Sequence, residues 1–241
     1  GRMILGSDSH TRYGALGTMG IGEGGPEIVK QLLEGTYDIK SPEVVLVYLT
    51  GTPQKGVGPH DVAIALCGAV YKNGFVQNKV LEFAGPGIAN LPMDYRIGID
   101  VMTTETACLS SIWEIDEQVE EYLTLHGRPK TYRKLSPEEG AYYDSMIEID
   151  LSAIEPMIAL PFHPSEAYTI RRLQENAGDI LRSCELRAQE QFGGKVSLNL
   201  TRKLKDGKLT VDQGIIAGCA GGMYDNIAEA AAILTGHDIG D

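Results

Sequence analysis

The run VVLVYL at residues 44–49 constrains the fold more than any other stretch. It is a continuous apolar segment, bounded before by Ser41-Pro42, and it reads as a strand. Pro59 and Asp61 then open a helix whose apolar face is Val62, Leu66, Ala69 and Val70, and Asn73-Gly74 ends it. Residues 79–84 (KVLEFA) form the next expected strand, stopped by Gly85-Pro86-Gly87. Strand, helix and strand with short punctuated connections predict an α/β unit with a parallel or mixed sheet.

The same alternation runs through the chain. Residues 2–5 read as a buried strand and GSDSHT as the loop after it. Pro26, the apolar set Ile28, Val29, Leu32 and Leu33, and Gly35 predict a helix with a proline start and a glycine stop. Residues 110–125 place Ile112, Ile115, Val119 and Tyr122 near helical period, with an acidic opposite face that reads as solvated. Ser136-Pro137-Glu138-Glu139 has the form of a capping box. Residues 145–151 alternate as a half-exposed strand, and residues 174–192 read as a polar helix. Residues 214–217 are expected as a strand, 218–222 as a tight loop and 225–234 as an alanine-rich helix. Breaks near Ser41-Pro42 and Leu160-Pro161 predict domain boundaries, giving units at 1–41, 42–159 and 160–241.

Composition narrows the class. Of 241 residues, 43% are hydrophobic and 22% charged, the profile of a soluble globular protein. No apolar run approaches the roughly 20 residues of a membrane span, so no membrane partner is expected. A formal net charge of −12 argues against nucleic acid, which is held by Lys and Arg on phosphates. The four positive charges within residues 128–134 read as a solvated loop. The four cysteines, Cys67, Cys108, Cys184 and Cys219, show no short paired spacing, so a reducing, cytoplasmic compartment is expected. The chain opens with Gly1 rather than Met, and an internal portion of a longer protein is expected.

Four stretches carry chemistry. Gly6-Ser7-Asp8-Ser9-His10-Thr11 sets an acid, hydroxyls and an imidazole side by side, and six glycines follow within residues 14–25. Gly20, Gly22 and Gly25 satisfy G-x-G-x-x-G, but no good core strand precedes them, so a dinucleotide site is rejected. Glycines at that density instead predict close approach of backbone and residues with positive φ. Asp8-Ser9-His10 reads either as a solvated turn with a capping aspartate or as a ligand loop after a strand. Cys219, between an expected strand and helix, reads either as a stabilised thiolate or as a small apolar residue in a turn. Glu105, set among threonines, reads either as a dipole-stabilised helix acid or as a carboxylate with a specific partner.

Taken together, these stretches resemble aconitase and its hydro-lyase relatives, including isopropylmalate isomerase and homoaconitase. GSDSHT with GALGTMGIGEGG resembles the family's Asp-Ser-His loop and glycine run. VVLVYLTGTPQKGVGPHDVAIALCGAV, KVLEFAGPGI and YYDSMIEIDLSAIEPMIALPFHP resemble the following elements and the link into a third domain. GIIAGCAGGMYDN lies where the family has its Gly-Ser-Cys-Thr-Asn loop. The resemblance covers essentially the whole chain. It implies three-layer α/β/α domains with mixed, largely parallel sheets: the end of a first domain, a complete second, and the start of a third.

The resemblance also implies roles. His10 would handle the hydroxyl or water in transit, and Glu105 would orient it. Ser9 would contact a substrate carboxylate, and Asp8 would pair with a second histidine outside this chain. Cys219 would hold one iron of a [4Fe-4S] cluster, with the remaining cysteines, substrate-clamping arginines and further domains beyond the C-terminus. The substrate would be a small hydroxy carboxylic acid, and the isolated chain is expected to be inactive. Ala220-Gly221 replaces the family's Thr-Asn, and Val101 falls where the family has asparagine, so a divergent hydro-lyase is expected rather than an aconitase proper. A non-catalytic binding or regulatory relative is the alternative. A nucleotide-binding domain would instead place phosphate at the helix start near Pro26.

Overall fold

The structure, a computed structural model, describes residues 2–238. Strands β1 (Arg2–Gly6) and β2 (Thr18–Gly22) pair in parallel, Arg2 opposite Thr18 and Gly6 opposite Gly22. The glycine run therefore contains a strand that its sequence does not announce. Gly20 and Gly22 lie inside β2. Gly17, at φ 79°, turns the chain into β2 from a single helical turn at Gly14–Leu16. Helix α1 (Gly25–Glu34) forms where its proline and glycine signals put it. None of its residues is buried, and Leu32 and Leu33 are 79% and 81% exposed.

A four-stranded, all-parallel sheet follows: β3 (Val44–Thr50), β4 (Val80–Ala84), β5 (Ser110–Trp113) and β6 (Ser145–Asp150), in the order β5-β4-β3-β6. The apolar run at 44–49 is thus an interior strand. Val45, Val47 and Leu49 are fully buried on one face, while Tyr48 on the other is exposed. Helices α2 (Pro59–Val70), α3 (Met93–Met102) and α4 (Glu117–Leu125) connect these strands and supply Val62, Leu66, Ile99 and Val119 to the same core. Phe83 and Trp113 stack within it at 4.1 Å. Mixed α/β architecture with a largely parallel sheet is the class the sequence predicts.

Several local expectations need correction. Residues 110–125 are not one helix. Residues 110–113 pair with β4, and the Asp116 carboxylate accepts from the Gln118 N–H to start α4 afresh. Ser110 and Ser111 are buried, their hydroxyls donating to the Gly20 carbonyl and the Asp100 carboxylate. Ser136-Pro137-Glu138-Glu139 caps no helix and lies in irregular chain. Helix α3 gave no sequence signal because its Arg96 and Asp100, one turn apart, are both buried rather than solvated. Arg96 is satisfied by the carbonyls of Ile88 and Leu91 and by both Asp116 oxygens, at 2.8 and 2.7 Å.

Beyond β6, β7 (Met157–Ala159) and β8 (Ala167–Thr169) form an antiparallel pair, followed by α5 (Ile170–Glu175) and α6 (Ala177–Gln191). The expected single helix at 174–192 is broken at Asn176 and begins earlier, where the Thr169 hydroxyl accepts from the Arg172 N–H. Leu160, Leu173, Ile180, Leu181 and Cys184 make a second, smaller core. A short hairpin, β9 (Leu204–Lys205) and β10 (Lys208–Leu209), precedes α7 (Gly218–Gly221) and α8 (Tyr224–Leu234). Residues 214–217 are not a strand: they find no pairing partner, and Ile215 is 77% exposed. The tight loop expected at 218–222 is instead one helical turn, α7.

Candidate active site

The GSDSHT loop links β1 to β2 and is held from below. Its Arg12 is buried, and the guanidinium donates to the carbonyls of Thr11, Gly20 and Cys108. The Thr11 hydroxyl donates to the Asp8 carbonyl at 2.7 Å, and the His10 N–H to Asp8 Oδ1 at 2.7 Å. Gly22 lies directly beneath: a Cβ there would overlap the carbonyl oxygens of Asp8 and Ser9. The close approach that the glycine density predicts is therefore real at this position.

Glu105 reaches the same place from the other side of the molecule. It sits in a helical turn, Thr103–Thr106, that follows α3 and ends at Ala107 in the left-handed region, φ 62°. The Thr104 hydroxyl donates to the Ser9 carbonyl at 2.7 Å, and the Cys67 thiol of α2 donates to the Glu105 carbonyl at 3.1 Å. Beneath the turn, Asp100 is fully buried and accepts from Ala15 N–H, Ser111 Oγ and Trp113 Nε1. Burial pushes that carboxyl above its usual range, against the opposing pull of its three donors and of Arg12.

Between these two supports, His10 Nε2 lies 3.2 Å from Glu105 Oε1, with side chains 29% and 27% exposed. Ser9 Oγ is 3.1 Å from His10 Nδ1. An ionised carboxylate can only accept, so the proton of this contact sits on Nε2 and the serine hydroxyl donates to Nδ1. Asp8 is 78% exposed and stays at 3.8 Å from Nδ1, so it caps the turn rather than gripping the ring. The arrangement is an imidazole fixed in tautomer and orientation, half open to solvent, which is what proton exchange with a bound molecule requires.

A third member escaped the sequence reading. His163, in the link between β7 and β8, places Nε2 3.7 Å from Glu105 Oε2. Its ring stacks on Tyr71 at 3.8 Å. Cys67 and Arg12 were likewise not assigned to the site; neither a lone buried cysteine nor one arginine in a loop carries a sequence signal for such contacts.

Cys219 is exposed, lies in α7, and makes no hydrogen bond among the described residues. Among the described residues it makes no hydrogen bond or ion pair with His10 or Glu105. The other three cysteines are buried. Burial, then the Glu105 charge, pushes the Cys67 thiol up to about 12. Burial also raises Cys108 and Cys184. Thiols held protonated are poor metal ligands. Among the described residues no group of three or more His, Cys, Asp or Glu side chains is placed to hold a metal ion. The side chains present do not by themselves fit an iron–sulfur cluster. A separate groove of about 1,070 Å³, lined by Lys55, His60, Tyr95 and Asp225, adjoins α3 and α8 and includes neither His10 nor Glu105. No helix is long and apolar enough to cross a membrane among the described residues.

Known proteins are similar to this sequence along nearly its whole length. It is 30% identical over 240 residues to a 3-isopropylmalate dehydratase large subunit of Acetivibrio thermocellus, covering 99% of this chain and 49% of that protein. It is 28% identical over 240 residues to a 2,3-dimethylmalate dehydratase large subunit of Eubacterium barkeri, covering 99% of this chain and 49% of that protein. The chain thus spans about half the length of the relatives it matches. The pattern described as "Aconitase family (aconitate hydratase)" matches residues 1–241, and by that match the chain belongs to the aconitase family.

Proposed function

We propose that this chain carries the imidazole–carboxylate part of a hydro-lyase site that adds or removes water on a small hydroxy carboxylic acid. The observation behind the reading is the His10–Glu105 contact at 3.2 Å, assembled from segments far apart in sequence. Removing water from a hydroxy acid needs a proton delivered to the departing hydroxyl and a weakly acidic C–H proton taken up by a base, which the remaining protein outside this chain would supply. His10, with Nε2 held by Glu105, is the group that exchanges protons with the hydroxyl or water. Glu105 fixes the ring's orientation. Ser9, exposed beside His10, receives a substrate carboxylate.

Both named relatives are large subunits of dehydratases, which supports the reaction class and points to a working enzyme with protein beyond these residues. That protein is either further polypeptide or a second subunit. The [4Fe-4S] cluster implied by the family resemblance would serve as a Lewis acid on the hydroxyl. Cys219 would be one of its ligands, and the others would come from outside this chain. No step proposed for His10, Glu105 or Ser9 runs through it. A net charge of −12 supports a small-molecule partner rather than nucleic acid, and the lack of a disulfide pattern supports a cytoplasmic setting.

The test is dehydration of a panel of hydroxy di- and tricarboxylic acids by the complete enzyme, followed by the ultraviolet absorbance of the new double bond. Turnover of at least one acid, abolished by His10→Ala and reduced about 10²–10⁴-fold by Glu105→Gln, is expected for loss of positioned acid–base catalysis. A complete, cluster-bearing protein that turns over none of them would favour the non-catalytic binding role.

A further inference from the structure

The Glu105 carboxylate has two oxygens, and the pairing with His10 accounts for only one. The other, Oε2, faces His163. The neutral form of that imidazole is set by its surroundings. The Ser165 backbone N–H donates to His163 Nδ1 at 3.1 Å, and Ser165 Oγ is 3.0 Å from the same nitrogen. A nitrogen that accepts an N–H bond carries no proton, so the neutral ring is protonated at Nε2. That Nε2 lies 3.7 Å from Glu105 Oε2, an ion-pair rather than a hydrogen-bond distance, and has no other polar partner among the described residues.

Helix α2 grips both members from one face. Cys67 holds the Glu105 backbone carbonyl, and Tyr71, one turn on, stacks on the His163 ring at 3.8 Å and 23°. The three polar groups are similarly accessible, His163 at 31% beside 29% for His10 and 27% for Glu105. A ring kept merely to fill space has no need of a fixed tautomer with its protonated edge aimed at a carboxylate.

We infer that His163 is a positioning residue of the site: His10 and His163 share Glu105 as a His–Glu–His relay, each presenting Nε2 to a different carboxylate oxygen, at 3.2 Å and 3.7 Å. With an imidazole nitrogen beside each oxygen, the carboxylate is held against rotating away from His10. The segment between β7 and β8 thereby closes a site otherwise built from the β1–β2 loop and the turn after α3. The relevance of the relay to turnover rests on the hydro-lyase reading above; the relay itself does not.

The test is imidazole ¹⁵N–¹H correlation spectroscopy on this chain near pH 8, above the ordinary imidazole range of about 6.5. His163 and His10 are expected as Nε2–H tautomers, and Glu105→Gln should shift the ring signals of both. Two variants separate the relay from packing. His163→Phe keeps an aromatic ring for Tyr71 but has no Nε2–H, and His163→Gln keeps a side-chain N–H but has no ring. The relay predicts that Phe moves the His10 ring signals toward those of the Glu105→Gln protein and that Gln restores them. An Nδ1–H tautomer at His163, or His10 signals unmoved by a folded His163→Phe protein, overturns it. So does perturbation by Gln but not by Phe. Should the Phe variant fail to fold, the His163 tautomer and its response to Glu105→Gln decide alone. Because neither substrate nor cluster is needed, an inactive enzyme with these signals in place refutes the hydro-lyase reading and leaves the relay standing.

Discussion

The Thr104 hydroxyl donates to the Ser9 carbonyl at 2.7 Å, tying the turn that carries Glu105 to the loop that carries His10. Thr104→Val removes this tie without changing side-chain shape. A loss of about 1 kcal/mol in unfolding free energy is expected by denaturant titration, with a larger effect on the His10 ring signals than on the fold.

Gly22 is the floor of the same loop. Gly22→Ala forces its Cβ into the carbonyls of Asp8 and Ser9, so either the loop or β2 must shift. About 1–3 kcal/mol of destabilisation is expected from overpacking, together with loss of the His10–Glu105 contact. A variant of unchanged melting temperature and unchanged His10 signals would contradict this account of the glycine.

Helix α3 delivers Glu105, and it is anchored through Arg96, which is wholly buried against Asp116. Burial alone would raise the Asp116 carboxyl, but the bonds and charge of Arg96, together with the Gln118 and Val119 backbone N–H groups, outweigh it and hold the group below its usual range. A depressed folded-state value stabilises the fold above the ordinary carboxylate pKa and loses that contribution as pH falls through the folded value. Asp116→Asn is expected to cost about 2–4 kcal/mol near pH 7, since it leaves a buried guanidinium short of its counter-charge. The difference from the parent chain should shrink below about pH 4, as read from denaturant unfolding at several pH values.

Why some of this was legible in the sequence follows from where the polar groups went. Strands β1, β3, β4 and β6 and helices α1, α2 and α8 stand out because apolar periodicity and Pro/Gly punctuation agree there. Helix α3 and strand β5 do not, because Arg96, Asp100, Ser110 and Ser111 look like solvated residues and are instead satisfied inside. Strand β2 hides among glycines, whose backbone pairs with β1 without any side-chain pattern. The meeting of His10 with Glu105 was legible only through resemblance to a family, since nothing local links residues so far apart. His163 lay between Pro161 and Pro164 in an irregular segment, where no periodicity says which way a ring will face.

The cysteines give the last expectation. Cys219 is exposed, whereas Cys67, Cys108 and Cys184 are buried with their thiols held protonated. Thiolate, not thiol, is the reactive form, so burial and protonation suppress reaction twice over. A disulfide reagent at neutral pH should therefore titrate one thiol in the folded chain and all four in denaturant, and Cys219→Ser should abolish the fast reaction. The same asymmetry governs cluster assembly. One accessible cysteine cannot replace the several that a [4Fe-4S] cluster takes. Anaerobic treatment of this chain alone with iron and sulfide should leave no four-iron cluster by iron counting and visible absorbance. A cluster that does form, and is lost in Cys219→Ser, would show that at least two of the three buried cysteines leave their carbonyl partners to become ligands. Labelling of Cys67 in the folded chain would be the first sign of that rearrangement, because its thiol cannot turn outward without releasing the Glu105 carbonyl.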